Sequence, residues 1–354
     1  MRLGVQCSLV RGRLVPGDVD VRDGAIAAVG LGAGGGGGIA APGFVDLQVN
    51  GFAGVDLAEA GPDEWASAGA ALLAAGTTAW RPTFMTAAEP AMLAALSAMP
   101  RAGHGPRTLG AHLEGPFLAV ERAGAHPVEH LRVPDLDALD RLLAAGPVVH
   151  VTLAPELPGA LALVDALRAR GIAVAAGHTA ATETIAWRAF DRGVRTVTHL
   201  HNAMSPATAA AALAHPAVVV QVIVDGHHVD AATVLAAWRV ARGRFALVSD
   251  AVAAAGMGDG EFTLGGRPVR SAGGVVTGER GRLAGSVLTM AQAVRNLHAL
   301  GVPLADALHA ASAVPARVAG RPDLGRLEPG APADVVVLDD RLEVQRVLLG
   351  GAGV

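Results

Sequence analysis

The chain has 354 residues, a formal net charge of −4, 51% hydrophobic and 17% charged residues, which suits one large core with a small appended unit and not a disordered chain. The slight acidic excess argues against nucleic-acid and membrane-surface partners, which call for a basic face. A single cysteine, Cys7, rules out an intrachain disulfide and fits a reducing, cytoplasmic setting.

The N-terminal segment carries Arg2, Arg11 and Arg13 and no apolar run of signal-peptide length. Short strands are expected at Val5–Leu9, Leu14–Val21 and Ala25–Val29, separated by Gly- and Asp-containing turns. The glycine run 32–38 contains a G-x-G-x-x-G match. No helix follows it and the chain has no lysine for a phosphate loop, so it reads as a loop closing a small sheet.

From Pro42 the pattern changes to apolar strands alternating with Ala/Leu-rich helices, the mark of a parallel α/β fold. Strands are expected at Phe44–Gln48, Thr77–Arg81, Thr108–Leu113, Val148–Leu153, Ile172–Ala176, Thr196–Thr198, Val218–Val224 and Phe245–Val248. Helices fit between most of them, for example Asp63–Ala75, Ala87–Ala98, Asp135–Ala145 and Asp230–Arg242. The uncharged stretch Ala203–Val224 reads as helix, loop and strand and makes a poor membrane span. Eight units over roughly 250 residues have the size of a TIM (β/α)8 barrel. A hairpin-like Glu261–Leu283, helices at Ser286–Leu300 and Leu304–Ala313, and strands at Ala333–Leu338 and Arg346–Leu349 complete the chain. Its two ends, 1–41 and 316–354, are expected to pair into one small β-domain beside a barrel of 42–315.

The strand ends carry most of the chemistry. They finish at Asp46, Gln48 and Asn50; Thr83; Glu114; Pro155 and Glu156; His178; His199; Asp225; and Asp250. One polar residue at a strand end is ordinarily a cap, but capping does not explain so many Asp, Asn, Glu and His residues on the rim where barrel active sites lie. Glu114, His178 and His199 end the third, fifth and sixth strands and could converge on one metal ion. Two imidazoles, a carboxylate and an open position for water make a catalytic zinc set that also suits Fe2+, Mn2+ or Co2+. For each taken alone, a backbone-bonded buried histidine or an ordinary glutamate is the plain alternative. Asp250, in LVSDA, could take a proton from the attacking water and pass it to a leaving nitrogen. Its plain alternative is a helix N-cap, which the Gly-rich segment that follows weakens. His126 and His228 lie in loops after the third and seventh strands, where a substrate carbonyl or hydroxyl needs donors. His104, His130, His150, His298 and His309 have no motif around them and read as surface or core residues.

Taken in order, PGFVDLQVNG (42–51), GTTAWRPTFMT (76–86), HLEGPF (112–117), GAH (124–126), VTLAPE (151–156), AGHT (176–179), THLHNAM (198–204), DGHHV (225–229), VSDA (248–251), LAGSVLTM (283–290) and PADVVVLD (332–339) span nearly the whole chain. This set resembles the N-acetylglucosamine-6-phosphate deacetylases of the amidohydrolase superfamily; HLEGP and THLHNAM are the specific pieces. The resemblance implies a barrel with a β-sandwich built from both termini, a homodimer, and hydrolysis of the N-acetyl group of an amino sugar phosphate. It implies Glu114, His178 and His199 as metal ligands and Asp250 as the acid/base. It implies His126, Asn202, Ala203 and His228 as sugar contacts, Asn202 and Ala203 partly through backbone. Where many amidohydrolases have H-x-H for a second ion, Gln48-Val49-Asn50 stands, so one divalent ion per chain is expected, zinc first among the candidates.

One departure bears on substrate. Many of these deacetylases place a phosphate-binding arginine after the HLxNAM segment, often serving the neighbouring subunit; here SPATAAAALAHP follows Met204, and no arginine occurs between Arg195 and Arg239. A nonphosphorylated N-acetyl sugar or another N-acyl substrate is therefore the second reading. Cyclic-amide hydrolases that bridge two metals with a carbamylated lysine are excluded by the absence of lysine. A non-catalytic sugar sensor is the reading of another class, and a proton-transfer carboxylate beside a metal set argues against it.

Overall fold

The computed structural model describes residues 1–32, 36–100 and 105–354; part of the glycine run (33–35) and His104 lie outside the described residues. Eight strands lie parallel in chain order: β1 (Phe44–Val49), β2 (Thr77–Met85), β3 (Ala111–Glu114), β4 (Val148–Leu153), β5 (Ala173–Ala176), β6 (Thr196–Val197), β7 (Val219–Val222) and β8 (Phe245–Leu247). A few contacts close the ring between β8 and β1. The Ser249 amide donates to Asp46 at 3.2 Å, its hydroxyl donates to the Gln48 carbonyl at 3.3 Å, and Val49 bridges Ala251. The result is a nearly closed TIM barrel, as the alternating pattern predicts.

The helices between strands bury one face on the barrel, as with Leu163, Leu167 and Phe190. Asp135, Thr182, Ser205 and Asp230 each accept from the amide three residues on. These N-caps start their helices one residue later than the apolar pattern places them at Asp135 and Asp230. Among the described residues, no helix is long and apolar enough to cross a membrane.

Three of the elements that differ from expectation do so for a local reason. Leu14–Val21 is two strands, Arg13–Pro16 and Asp18–Arg22, broken at Gly17 with φ +116°; a Cβ there would sit 2.6 Å from the Gly30 carbonyl carbon. Thr108–Leu113 divides at Gly110 (φ +83°), so that Arg107–Thr108 pairs with Ala79–Trp80 while β3 pairs with Thr83–Met85. The hairpin is a four-stranded antiparallel sheet, Gly260–Leu264, Arg267–Ala272, Val275–Thr277 and Leu283–Ser286, standing over the rim after β8.

Both termini share one six-stranded sheet, in which Ile39–Pro42 lies between Cys7–Val10 and Val335–Leu338. The hairpin Asp18–Arg22/Ala25–Leu31 packs on it around Leu3, Val5, Val19, Ile26, Leu327 and Val335. Two layers over a separate apolar core make the small sandwich. Arg107 clamps it to the barrel through a two-pronged bond to Asp334 at 2.6 and 2.9 Å.

Candidate active site

Glu114 is the last residue of β3, and His178 and His199 follow β5 and β6. Glu114 Oε1 lies 3.2 Å from His178 Nε2 and 2.9 Å from His199 Nε2, and the two Nε2 atoms are 3.2 Å apart. Ligand bonds of roughly 2.0–2.1 Å in a tetrahedron put donor atoms about 3.3 Å from one another. The three spacings therefore fit one face of a coordination tetrahedron, and the residues are buried. His178 Nδ1 donates to the Arg122 carbonyl at 2.8 Å, which leaves the Nε2 lone pair facing the other two ligands. Burial disfavours a charged His199, yet the Glu114 carboxylate outweighs it and pushes the imidazole up to about 9. Burial also works against the Glu114 charge, but bonds and positive charge from His178 and His199 hold that carboxyl well below its usual range. A buried carboxylate at this point demands a cation, and a metal ion can supply it in place of the proton.

Gln48 and Asn50 serve as donors to carboxylates. Gln48 Nε2 donates to Glu114 Oε2 at 3.1 Å, and Asn50 Nδ2 donates to Asp250 Oδ1 at 2.8 Å. Gln48 thus fixes which Glu114 oxygen faces the imidazoles. Gln48→Ala is expected to weaken metal affinity about 10- to 100-fold without abolishing it, read by competition with a chelator of known affinity.

Asp250 caps no helix: the chain after it runs into turns and bridges Val49 and Ser286 through Ala251. Burial first, then the negative charge of Glu114, raise its carboxyl above the ordinary range. His178, His199, Ala203 and Asp250 all hold left-handed backbone, with φ of 48°, 29°, 47° and 51°. Non-glycine residues rarely adopt it, and such strain concentrates where side chains must be aimed.

These groups face one cavity of about 400 Å³ on the C-terminal rim. His126 lines it: the Thr86 amide donates to Nδ1 at 3.3 Å and the Thr86 hydroxyl lies 3.0 Å from the same nitrogen, an arrangement that suits a ring proton on Nε2, 3.9 Å from Glu114 Oε2. Burial drives this imidazole down to about 3, leaving a neutral donor. His228 Nδ1 is held by Asp225 at 2.6 Å. Asn202 lines the cavity but turns its side-chain amide back to the carbonyls of His199 and Leu200, at 3.2 and 3.3 Å. The Ala203 carbonyl accepts from the Thr179 amide at 3.1 Å.

All eight residues singled out from sequence thus line one cavity. Of the other polar strand ends, Glu156 and Asp46 serve elsewhere: Glu156 accepts from the Thr179 hydroxyl and the Ala180 amide, and Asp46 lies deeper, stitching β8 to β1. Of the motif-less histidines, His150 is fully buried and stacks on His112 at 4.3 Å. Sequence reasoning missed Met85, Glu121, Ile223, Leu264 and Arg282 in the wall. Arg282 adjoins LAGSVLTM, and that adjacency was its one available signal.

The described fold has solved counterparts. An N-acetyl-D-glucosamine-6-phosphate deacetylase from Mycobacterium smegmatis, solved as a variant in complex with N-acetyl-D-glucosamine-6-phosphate, matches with a TM-score of 0.95 at 36% identity, covering 100% of this chain and 98% of that one. An Escherichia coli O157:H7 protein named N-acetylgalactosamine-6-phosphate deacetylase is 39% identical over 324 residues, 88% of this chain and 86% of its own length. The Homo sapiens N-acetylglucosamine-6-phosphate deacetylase is 39% identical over 343 residues, 89% of this chain and 83% of its own. Residues 39–353 match the amidohydrolase family, and with the barrel and the buried Glu/His/His set in place, the chain belongs to that family.

Proposed function

We propose that this chain hydrolyses the acetamide of N-acetylglucosamine 6-phosphate, giving glucosamine 6-phosphate and acetate. The observation that carries the reading is the placement of Glu114, His178 and His199 in one cavity with Asp250, whose carboxyl burial makes more basic. The relatives' activities support the substrate class.

Glu114, His178 and His199 would hold a divalent ion, zinc first among the candidates, which would supply Lewis acidity and make water more acidic. Asp250, held through Oδ1 by Asn50, takes the proton of the attacking water. Attack on the acetyl carbonyl carbon forms a C–O bond, and His126 Nε2–H is the donor facing the oxygen that gathers charge. Asp250 then returns the proton to nitrogen as the C–N bond breaks, so water is consumed and Asp250 is regenerated. His228, braced by Asp225, and the Asn202–Ala203 backbone hold the sugar.

The reading also takes in a sandwich of 1–41 with 316–354, a barrel of 42–315, a homodimer and a cytoplasmic location. Its test is acetate release by the metal-loaded protein from N-acetylglucosamine 6-phosphate, with N-acetylglucosamine and N-acetylgalactosamine 6-phosphate run alongside. No release from any of the three would leave the sensor reading standing. The epimer belongs in the panel because one relative at 39% identity is named for it. The unphosphorylated sugar belongs there because no arginine follows Met204 before Arg239.

Because Gln48 and Asn50 present amides where a second ligand set would stand, elemental analysis is expected to find close to one divalent ion per chain. Two tightly held ions would contradict this. Dialysis against a chelator is expected to abolish turnover and one equivalent of metal to restore it.

A further inference from the structure

We infer that Arg282, together with Arg122, is the anion-recognising pair of this site and selects substrates that carry a phosphate on the sugar. The inference rests on the deacetylase reading above. Among the described residues, these two are the permanent cations in the wall of the 400 Å³ cavity, and the chain has no lysine to take their place. The stretch after Met204 supplies none either: it forms the helix Pro206–Ala214, and the next arginine is Arg239.

Both arginines are tied to the backbone of the reacting groups. Arg282 directly precedes the strand Leu283–Ser286, and the Ser286 amide donates to the Asp250 carbonyl at 2.9 Å. Its Nη1 donates to the Gly124 carbonyl at 3.3 Å, which leaves the rest of the guanidinium fork for a ligand. The Arg122 carbonyl is the acceptor that orients His178, so its side chain leaves the main chain beside the metal ligands.

Among the described residues, the neighbouring carboxylates leave the pair free. Glu129 and Glu279 flank an adjoining cavity of about 330 Å³ that shares Arg282, but both are taken by Arg267, at 3.2 and 2.7 Å. Among the described residues, Glu121 is the one carboxylate of the active-site cavity wall outside the ligand set and the acid/base. Glu114 and Asp250, the other carboxylates of the wall, belong to the ligand set and the acid/base, where a divalent ion would balance their charge. A phosphate with roughly two charges near pH 7 and acceptor oxygens to match suits two planar donor forks better than a hydroxyl does.

The test compares kcat/KM for N-acetylglucosamine 6-phosphate and N-acetylglucosamine in the metal-loaded wild type, Arg282→Ala, Arg122→Ala, the double variant and Arg270→Ala. Arg270 is exposed on the same sheet as Arg282 and outside the cavity wall. The wild type is expected to favour the phosphorylated sugar by about 100-fold or more, each single variant to cut that ratio about tenfold, and the double variant to bring it near one. Arg270→Ala is expected to keep the ratio. Titration calorimetry of N-acetylglucosamine 6-phosphate into the same proteins gives a readout independent of turnover, with binding weakened in step. A wild-type ratio near one, or a double variant that keeps the ratio and the binding, overturns the inference and leaves the deacetylase reading intact. If no protein releases acetate, that reading fails, and calorimetry alone decides whether these arginines hold the anion.

Discussion

Asp250→Asn is expected to keep the metal and lower kcat by about 10²- to 10⁴-fold, the range that a positioned acid/base supplies. The substitution is close to isosteric, and the new amide oxygen can still accept from Asn50 Nδ2, so the side chain has reason to stay where the carboxylate is. What it loses is the proton-accepting form. Burial and the neighbouring Glu114 charge favour the protonated carboxyl, and that makes the ionised form a better base. An ion at the ligand set would draw the group back toward ionisation. Because the residue takes a proton in one step and returns it in the next, both roles vanish with one atom change and changes of pH cannot restore them. Elemental analysis and single-turnover acetate release separate the outcomes. A variant with full metal and a rate within threefold of wild type would reduce Asp250 to a structural residue.

Much of the barrel was legible because its strands are apolar runs of the right length between helices with one apolar face. Val148–Leu153 begins and ends where the pattern puts it. The breaks at Gly17 and Gly110 were not legible. A left-handed glycine divides a strand only when a partner strand lies on either side of it in a particular register, and register is a non-local property. The same distinction runs through the site. Glu114, His178 and His199 could be read because each stands at the end of a strand, and parallel strands deliver their ends to one rim. The left-handed backbone that aims the two histidines cannot be read from residue type, since neither is glycine and most histidines elsewhere in the chain hold ordinary φ. Gln48 and Asn50 were legible as the absence of a second ligand set, but not as the amides that hold two carboxylates. That role depends on the β1–β2–β3 register and on how β8 meets β1. Arg282 was least legible: it reaches the cavity because Ser286, far along the chain, bonds back to Asp250.

His178→Ala is expected to remove both the bound ion and measurable turnover, a larger loss than any change in the surrounding hydrogen bonds. A site with three protein ligands loses a third of its donors and the chelate geometry that the 3.2, 2.9 and 3.2 Å spacings fit. The loss on the protein side is smaller and can be separated from it. The Arg122 carbonyl forfeits its partner and Glu114 keeps only His199 and Gln48, at a cost of about 1–3 kcal/mol in folding stability. The barrel therefore stays folded while the ion is lost. Circular dichroism and thermal melting in the presence of chelator compare the two apo proteins directly, and elemental analysis after dialysis reads the ion. His199→Ala is expected to behave the same way even though its Nδ1 makes no hydrogen bond, because the shared cause is coordination and not the loss of a backbone contact. If either variant kept one ion per chain together with turnover, the Glu114–His178–His199 set would not be where the metal acts. If both lost the ion and only His178→Ala lowered the apo melting temperature, coordination and backbone anchoring would be separated as two duties of one imidazole.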